Sequence, residues 1–102
     1  LLPDVKKKEI TPQIIKSTVA EYYSIPVESL LSERRDREIV LPRQVAMYLC
    51  HDMLGIPYKR ISTLFDKNDH TTAINACKRV EEMIVNDSSF SSMIEDVKKR
   101  MG

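Results

Sequence analysis

Pro57-Tyr58-Lys59-Arg60-Ile61-Ser62-Thr63-Leu64-Phe65-Asp66-Lys67-Asn68-Asp69-His70-Thr71-Thr72-Ala73-Ile74-Asn75-Ala76-Cys77-Lys78-Arg79-Val80 is the stretch on which the fold turns. Proline fits the opening of a helix, where its missing N–H removes no bond. Tyr58, Ile61, Leu64 and Phe65 then recur at helical spacing and define one apolar face. Asp66-Lys67-Asn68 is too polar and too short for more than a turn. Asp69 has the chemistry of an N-cap. Beyond it, Ala73, Ala76, Cys77, Val80 and Ile84 form the stripe of a helix of about four turns. A short helix, a tight turn and a longer helix have the dimensions of a helix-turn-helix, whose second helix can enter a major groove.

At roughly 100° per residue, Ala73, Ala76, Cys77 and Val80 face inward, whereas Thr71, Asn75, Lys78 and Arg79 face outward. Asp69-His70-Thr71-Thr72 are all polar, with short or planar side chains that can approach base edges. Free N–H groups at such a helix start can also hold a phosphate. Asp69 has two open roles: accepting from a base amino group, or capping the helix. Taken alone, the motif equally allows a capped helix that touches no nucleic acid.

Outward from this unit the pattern stays helical. Thr11-Pro12 starts a helix carrying Ile14, Ile15, Thr18, Val19 and Tyr22, which must stop before Ile25-Pro26. Val27 to Leu31 suits a short helix. Ser32 to Glu38 lacks periodicity and reads as a loop, with Arg34, Arg35 and Arg37 available to a narrow minor groove. Pro42 is expected to open the next helix, with Ala46, Leu49, Cys50 and Met53 as its stripe and Gly55 as its stop. Asn86-Asp87-Ser88 breaks the pattern, and Phe90, Met93, Ile94, Val97 and Met101 make a last amphipathic helix. The expected fold is all-α: a bundle of about six helices containing a helix-turn-helix. Residues 11–102 form that domain, and residues 1–10, with Lys6-Lys7-Lys8, read as a connector from a preceding domain.

Composition sets the limits. The chain has 102 residues, 42% of them hydrophobic, which suits one domain with a real core. Only two glycines disfavour a turn-rich β-sandwich. No apolar run approaches the roughly 18 residues of a membrane span, and Leu1-Leu2-Pro3 opens no signal peptide. The chain does not begin with Met, which reads as a piece of something longer. Cys50 and Cys77 lie on apolar stripes and read as buried free thiols, consistent with a reducing, cytoplasmic setting. No metal-ligand spacing exists, and no phosphate-binding Gly-x-x-x-x-Gly-Lys. Net charge is +1 but uneven: residues 33–79 carry +3 and residues 80–97 carry −5. One basic face for an anionic partner beside a solvated acidic face fits this distribution.

Asp69-His70-Thr71-Thr72, then Ala76-Cys77-Lys78-Arg79, preceded by Arg34-Arg35-Asp36-Arg37 and Pro42-Arg43-Gln44, with Val19-Ala20-Glu21-Tyr22-Tyr23 upstream, resembles the C-terminal domain of the DnaA replication-initiator family. The resemblance runs from about residue 11 to residue 84. It implies a Trp-repressor-like helix-turn-helix that binds origin boxes of the TTATNCACA type to initiate and regulate chromosomal replication. It implies that Arg35, or alternatively Arg34, enters the minor groove, and that Asp69, His70, Thr71 and Thr72 read the major groove. Arg43, Gln44, Lys59, Asn75 and Arg79 would supply backbone or peripheral contacts, and Arg37, Lys67 and Lys78 complete the expected DNA-binding set. For a parent protein it implies an AAA+ ATPase binding ATP or ADP, self-assembly on DNA, a bacterial nucleoid location and acidic-phospholipid contact near the connector. This chain itself would need no cofactor or small-molecule substrate. It departs from the family at Phe65-Asp66-Lys67-Asn68, where Phe-Gly-Gly-Arg is usual. A turn needing φ > 0 must then use Asp or Asn, and Lys67 partly offsets the lost arginine. Asn75 stands where the family often has His.

Two rivals remain at this stage. His51-Asp52 resembles the dipeptide of helical metal-dependent phosphohydrolases, but adjacent helical residues diverge by about 100° and only one further histidine exists. The other rival is a helical protein–protein interaction module without DNA specificity.

Overall fold

The computed structural model describes residues 10–32, 36–67 and 69–101. Among them there are six helices: α1 (Pro12–Tyr23), α2 (Val27–Leu31), α3 (Arg37–Leu54), α4 (Tyr58–Leu64), α5 (His70–Asn86) and α6 (Ser88–Met101), and no strand. Residues 1–9 of the expected connector at 1–10, together with Glu33, Arg34, Arg35, Asn68 and Gly102, lie outside the described residues.

The starts of α1, α5 and α6 each carry a side-chain cap. The Thr11 hydroxyl accepts from the Ile14 N–H at 3.2 Å, with Pro12 just inside the helix. Asp87 accepts from the Ser89 and Phe90 amides at 3.0 and 3.2 Å, which lets α6 restart directly after α5. Gly55 ends α3 at φ +66, a conformation that costs glycine little. Ser24 ends α1 at φ +58, a left-handed cap that no glycine marks in the sequence.

The start of α3 differs from the sequence expectation. The helix begins at Arg37, so Pro42 sits inside it rather than opening it. Asp36 is the cap, and its carbonyl accepts from Ile39 and Val40 at 2.8 Å each. Proline at the sixth helical position removes one intrahelical bond, at a cost of up to ~3 kcal/mol. Burial of Ile39, at 4% exposure, and of Pro42 itself supplies a comparable gain of about 1.5–3 kcal/mol per side chain. Arg37 therefore belongs to a first helical turn and not to a loop.

α3 is the central helix, packed against α1, α2, α4 and α5. That explains why Val45 and Met47 are buried alongside the expected Ala46, Leu49 and Cys50. The core joins Ile15 and Val19 of α1, Leu30 of α2, Ile61 of α4, Ala73, Ala76 and Val80 of α5, and Ile94 and Val97 of α6. Cys50 and Cys77 are buried free thiols. None of the described helices is long and apolar enough to cross a membrane.

Candidate nucleic-acid interface

The turn between α4 and α5 orients the surface of interest. Asp66 takes φ +56, the left-handed conformation its short polar side chain tolerates. The Lys67 amide then donates to the Ser62 carbonyl at 2.8 Å, closing the end of α4. The Ser62 side chain is buried, and its hydroxyl donates to the Asp69 carbonyl at 3.1 Å. α4 thereby holds the residue that caps α5.

Asp69 is that cap. Its Oδ1 accepts from the Thr71 amide at 2.9 Å. The Thr71 N–H, and secondarily its hydroxyl, holds the Asp69 carboxyl below its ordinary value. His70, Thr71 and Thr72 are exposed in the first turn, and Asn75, Lys78 and Arg79 are exposed further along. Ala73, Ala76, Cys77 and Val80 are buried, as their helical phase requires. The outer face of α5 thus presents an imidazole, hydroxyls and an amide near its start and two cations beyond.

α3 contributes a second set. Arg37, Val40, Leu41 and Gln44 line an open groove of about 550 Å³ together with Arg79 and Met83 of α5. The structure therefore brings Arg37 and Gln44 of α3 together with Arg79 of α5, which lies at least 35 residues further along the chain. The Gln44 Oε1 is buried and has no hydrogen-bond partner among the described residues. On α4, exposed Lys59 shares a groove with Arg60, Thr63 and Pro57.

Two cations are placed differently from the sequence expectation. Arg43 is 8% exposed, and its Nε donates to the Leu30 carbonyl at 3.1 Å. Burial lowers its pKa from the ordinary arginine value. It serves the C-terminus of α2, whose last carbonyls lack helical partners, rather than offering an open contact. Lys67 is half-buried and its Nζ donates to the Ser32 carbonyl at 3.2 Å, so its amine is not free at the surface.

A third cation escaped the sequence reading altogether. Lys16 is 5% exposed; its Nζ donates to the Leu64 carbonyl at 2.8 Å and lies over the Phe65 ring, 5.1 Å from the centroid. This ammonium satisfies the C-terminal end of α4 and fixes α1 against the helix-turn-helix. The available signal was its phase: Lys16, Val19, Ala20 and Tyr23 share one helical face.

The His51-Asp52 pair forms no site. The His51 Nδ1 lies 2.9 Å from the Ile56 carbonyl, so it must carry the proton and donate. The ring stacks on Tyr58 at 4.3 Å between centroids. Asp52 points to Lys98 instead, at 3.0 Å. No group of three or more His, Cys, Asp or Glu among the described residues is placed to hold a metal ion.

This geometry agrees with comparisons to known proteins. The family model described as "Bacterial dnaA protein helix-turn-helix" matches residues 12–80. The chain is 36% identical over 96 residues to the "Chromosomal replication initiator protein DnaA" of Citrifermentans bemidjiense, covering 94% of this chain and 21% of that protein. It is 35% identical over 96 residues to the protein of the same name from Geobacter sp. strain M21, with the same coverage. The chain thus spans about a fifth of the length of these curated relatives. A solved structure described as "Crystal structure of DNA replication initiation factor" superposes with a TM-score of 0.77 at 33% identity, covering 88% of this chain and 27% of that one. The chain belongs to the bacterial DnaA helix-turn-helix family.

Proposed function

We propose that this domain binds double-stranded DNA sequence-specifically in replication initiation, at boxes of the TTATNCACA type. The first turn of α5 carries the reading: His70, Thr71 and Thr72 are exposed on a helix end that Asp69 and Ser62 hold in place. In this reading α5 enters the major groove. Threonine methyls meet thymine methyls, and Asn75 can pair with adenine. Asp69 spends one carboxylate oxygen on the Thr71 amide and keeps its other acceptor positions for a base amino group. Lys59, Lys78 and Arg79 face phosphates, Arg37 and Gln44 flank them, and Arg35 or Arg34 reaches the minor groove.

The domain contributes recognition rather than catalysis. In a longer parent protein, an ATP- or ADP-binding AAA+ unit preceding residues 1–10, self-assembly on DNA, a nucleoid location and acidic-phospholipid contact near Lys6-Lys7-Lys8 complete the proposal. Titration of the 102-residue chain against boxed and scrambled duplexes at several salt concentrations tests the core of it. Tighter binding to the box at every salt concentration supports the reading. Salt-insensitive or undetectable binding would instead favour a protein–protein interaction module.

A further inference from the structure

Lys59 and Arg60 stand side by side on α4 and point to different sides of it. Successive helical residues diverge by about 100°. Ser62, whose hydroxyl donates to the Asp69 carbonyl at 3.1 Å, marks the side of α4 that meets the start of α5. Lys59, one helical turn before Ser62, lies roughly 60° from that side, whereas Arg60 lies roughly 160° from it. Arg60 is thus turned away from the reading turn that Lys59 adjoins. Both side chains are exposed, and both line one open groove of about 570 Å³ with Pro57, Thr63 and Leu64. No acid lines that groove. Among the described residues the ion pairs join Lys98 to Asp52 and Glu95, and neither Lys59 nor Arg60 takes part in one. The Thr63 hydroxyl donates back to the Lys59 carbonyl at 3.3 Å, so the two cations are the side-chain donors the groove has left to offer.

We propose that Arg60 is a further DNA contact of this domain, holding a backbone phosphate that flanks the box rather than one within it. The proposal rests on the DNA reading above and extends its footprint. In a helix-turn-helix the first helix crosses the backbone while the second reads bases. A strand that meets Lys59 beside the reading turn continues past Thr63 to Arg60, because the three line one groove. Each strand carries one negative charge per roughly 3.4 Å of helix axis, so a groove with two cations and no acid suits successive phosphates. The planar guanidinium can hold two oxygens of one phosphate at once. Such a contact carries no base information, so Arg60 adds affinity and not discrimination.

The test uses the 102-residue chain and duplexes of one length carrying a TTATNCACA-type box. In one the phosphates are intact. In two others the linkages of one flank or the other are uncharged methylphosphonates, and a fourth duplex has a scrambled box. Arg60→Ala is expected to weaken binding to the intact duplex about three- to tenfold and to lower the salt slope by about one. The scrambled duplex should lose a similar factor. With one particular flank neutralised, the same substitution should have almost no effect; with the opposite flank neutralised, the loss should persist in full. Arg60→Lys, which keeps the charge, should recover most of the affinity. Should Arg60→Ala alter helicity, Arg60→Gln replaces it in the same series. A full loss whichever flank is neutralised would place the contact inside the box and overturn the proposal. No loss on the intact duplex would also overturn it, leaving the groove to some other anion. If the unmodified chain does not prefer the box to the scrambled duplex, it is the underlying reading of a specific DNA site that falls.

Discussion

The Ser62 hydroxyl donates to the Asp69 carbonyl at 3.1 Å, joining the first helix of the helix-turn-helix to the cap of the second. Asp69 in turn accepts from Thr71, so the residues on the outer face of α5 inherit their orientation from a buried serine on α4. The proposed reading surface is therefore preorganised by hydrogen bonds within the helix-turn-helix itself.

Asp69 should give this arrangement a specific acid response. Its carboxyl titrates below the ordinary aspartate value of 3.8 because the Thr71 N–H stabilises the charged form. A depressed folded-state pKa contributes stability that is complete above the unfolded value and is lost as pH falls through the folded one. Carboxyl resonances followed by NMR should show Asp69 titrating lower than in an unfolded peptide. The Thr71 amide should shift at the same midpoint. Asp69→Asn, which keeps an acceptor oxygen, should retain the capped helix and abolish that coupled shift.

Substitutions on the reading face should separate specificity from bulk affinity. Thr71→Ala and Thr72→Ala are expected to reduce discrimination between boxed and scrambled DNA by about 1–3 kcal/mol without changing the salt slope. Arg35→Ala should weaken box binding and lower the slope by about one unit, with its effect concentrated in the AT-rich half. Glu82→Ala, exposed on α5 three residues past Arg79, serves as the control and should leave specificity intact. Fluorescence anisotropy over a range of salt concentrations measures all of these. Full discrimination in both threonine variants, with a loss in Glu82→Ala, would place the reading surface elsewhere.

Lys16 offers a test of how α1 supports the motif. Lys16→Met keeps an apolar stem against Phe65 but removes the donor to the Leu64 carbonyl, leaving that helix end unsatisfied. Urea unfolding should show a loss of about 1–3 kcal/mol with little change in m-value. A loss below the error of the measurement would mean that water replaces the ammonium at no cost.

The two thiols report on core integrity. Burial pushes Cys50 up to about 12 and Cys77 up to about 11, so neither forms appreciable thiolate near neutrality. The native protein should react slowly with a thiol reagent at pH 8, and both thiols should react at once in denaturant. Rapid native labelling of either cysteine would show that α3 and α5 separate readily.

Much of the molecule is legible in the sequence. Thr11-Pro12, Gly55, Asp69 and Asp87 announce helix ends because caps and left-handed stops depend on residues only a few positions apart. The inward and outward faces of α5 follow from helical phase alone. The start of α3 was not legible, because Pro42 is a local signal that tertiary burial of Ile39 overrides. The left-handed Ser24 cap likewise has no strong local marker.

The sequence by itself determined the helical order, the helix-turn-helix and the exposed polar turn at Asp69-His70-Thr71-Thr72, since these rest on periodicity and near-neighbour hydrogen bonds. Only the tertiary structure decided what each cation is for. Arg43 serves α2, Lys16 serves α4, Lys67 holds Ser32, and Arg37 joins Arg79 along one groove. All four look alike in the sequence as basic residues. A long cationic side chain takes whichever carbonyl or open surface the packing brings within its reach, and that is a property of distant segments rather than of neighbours in the chain.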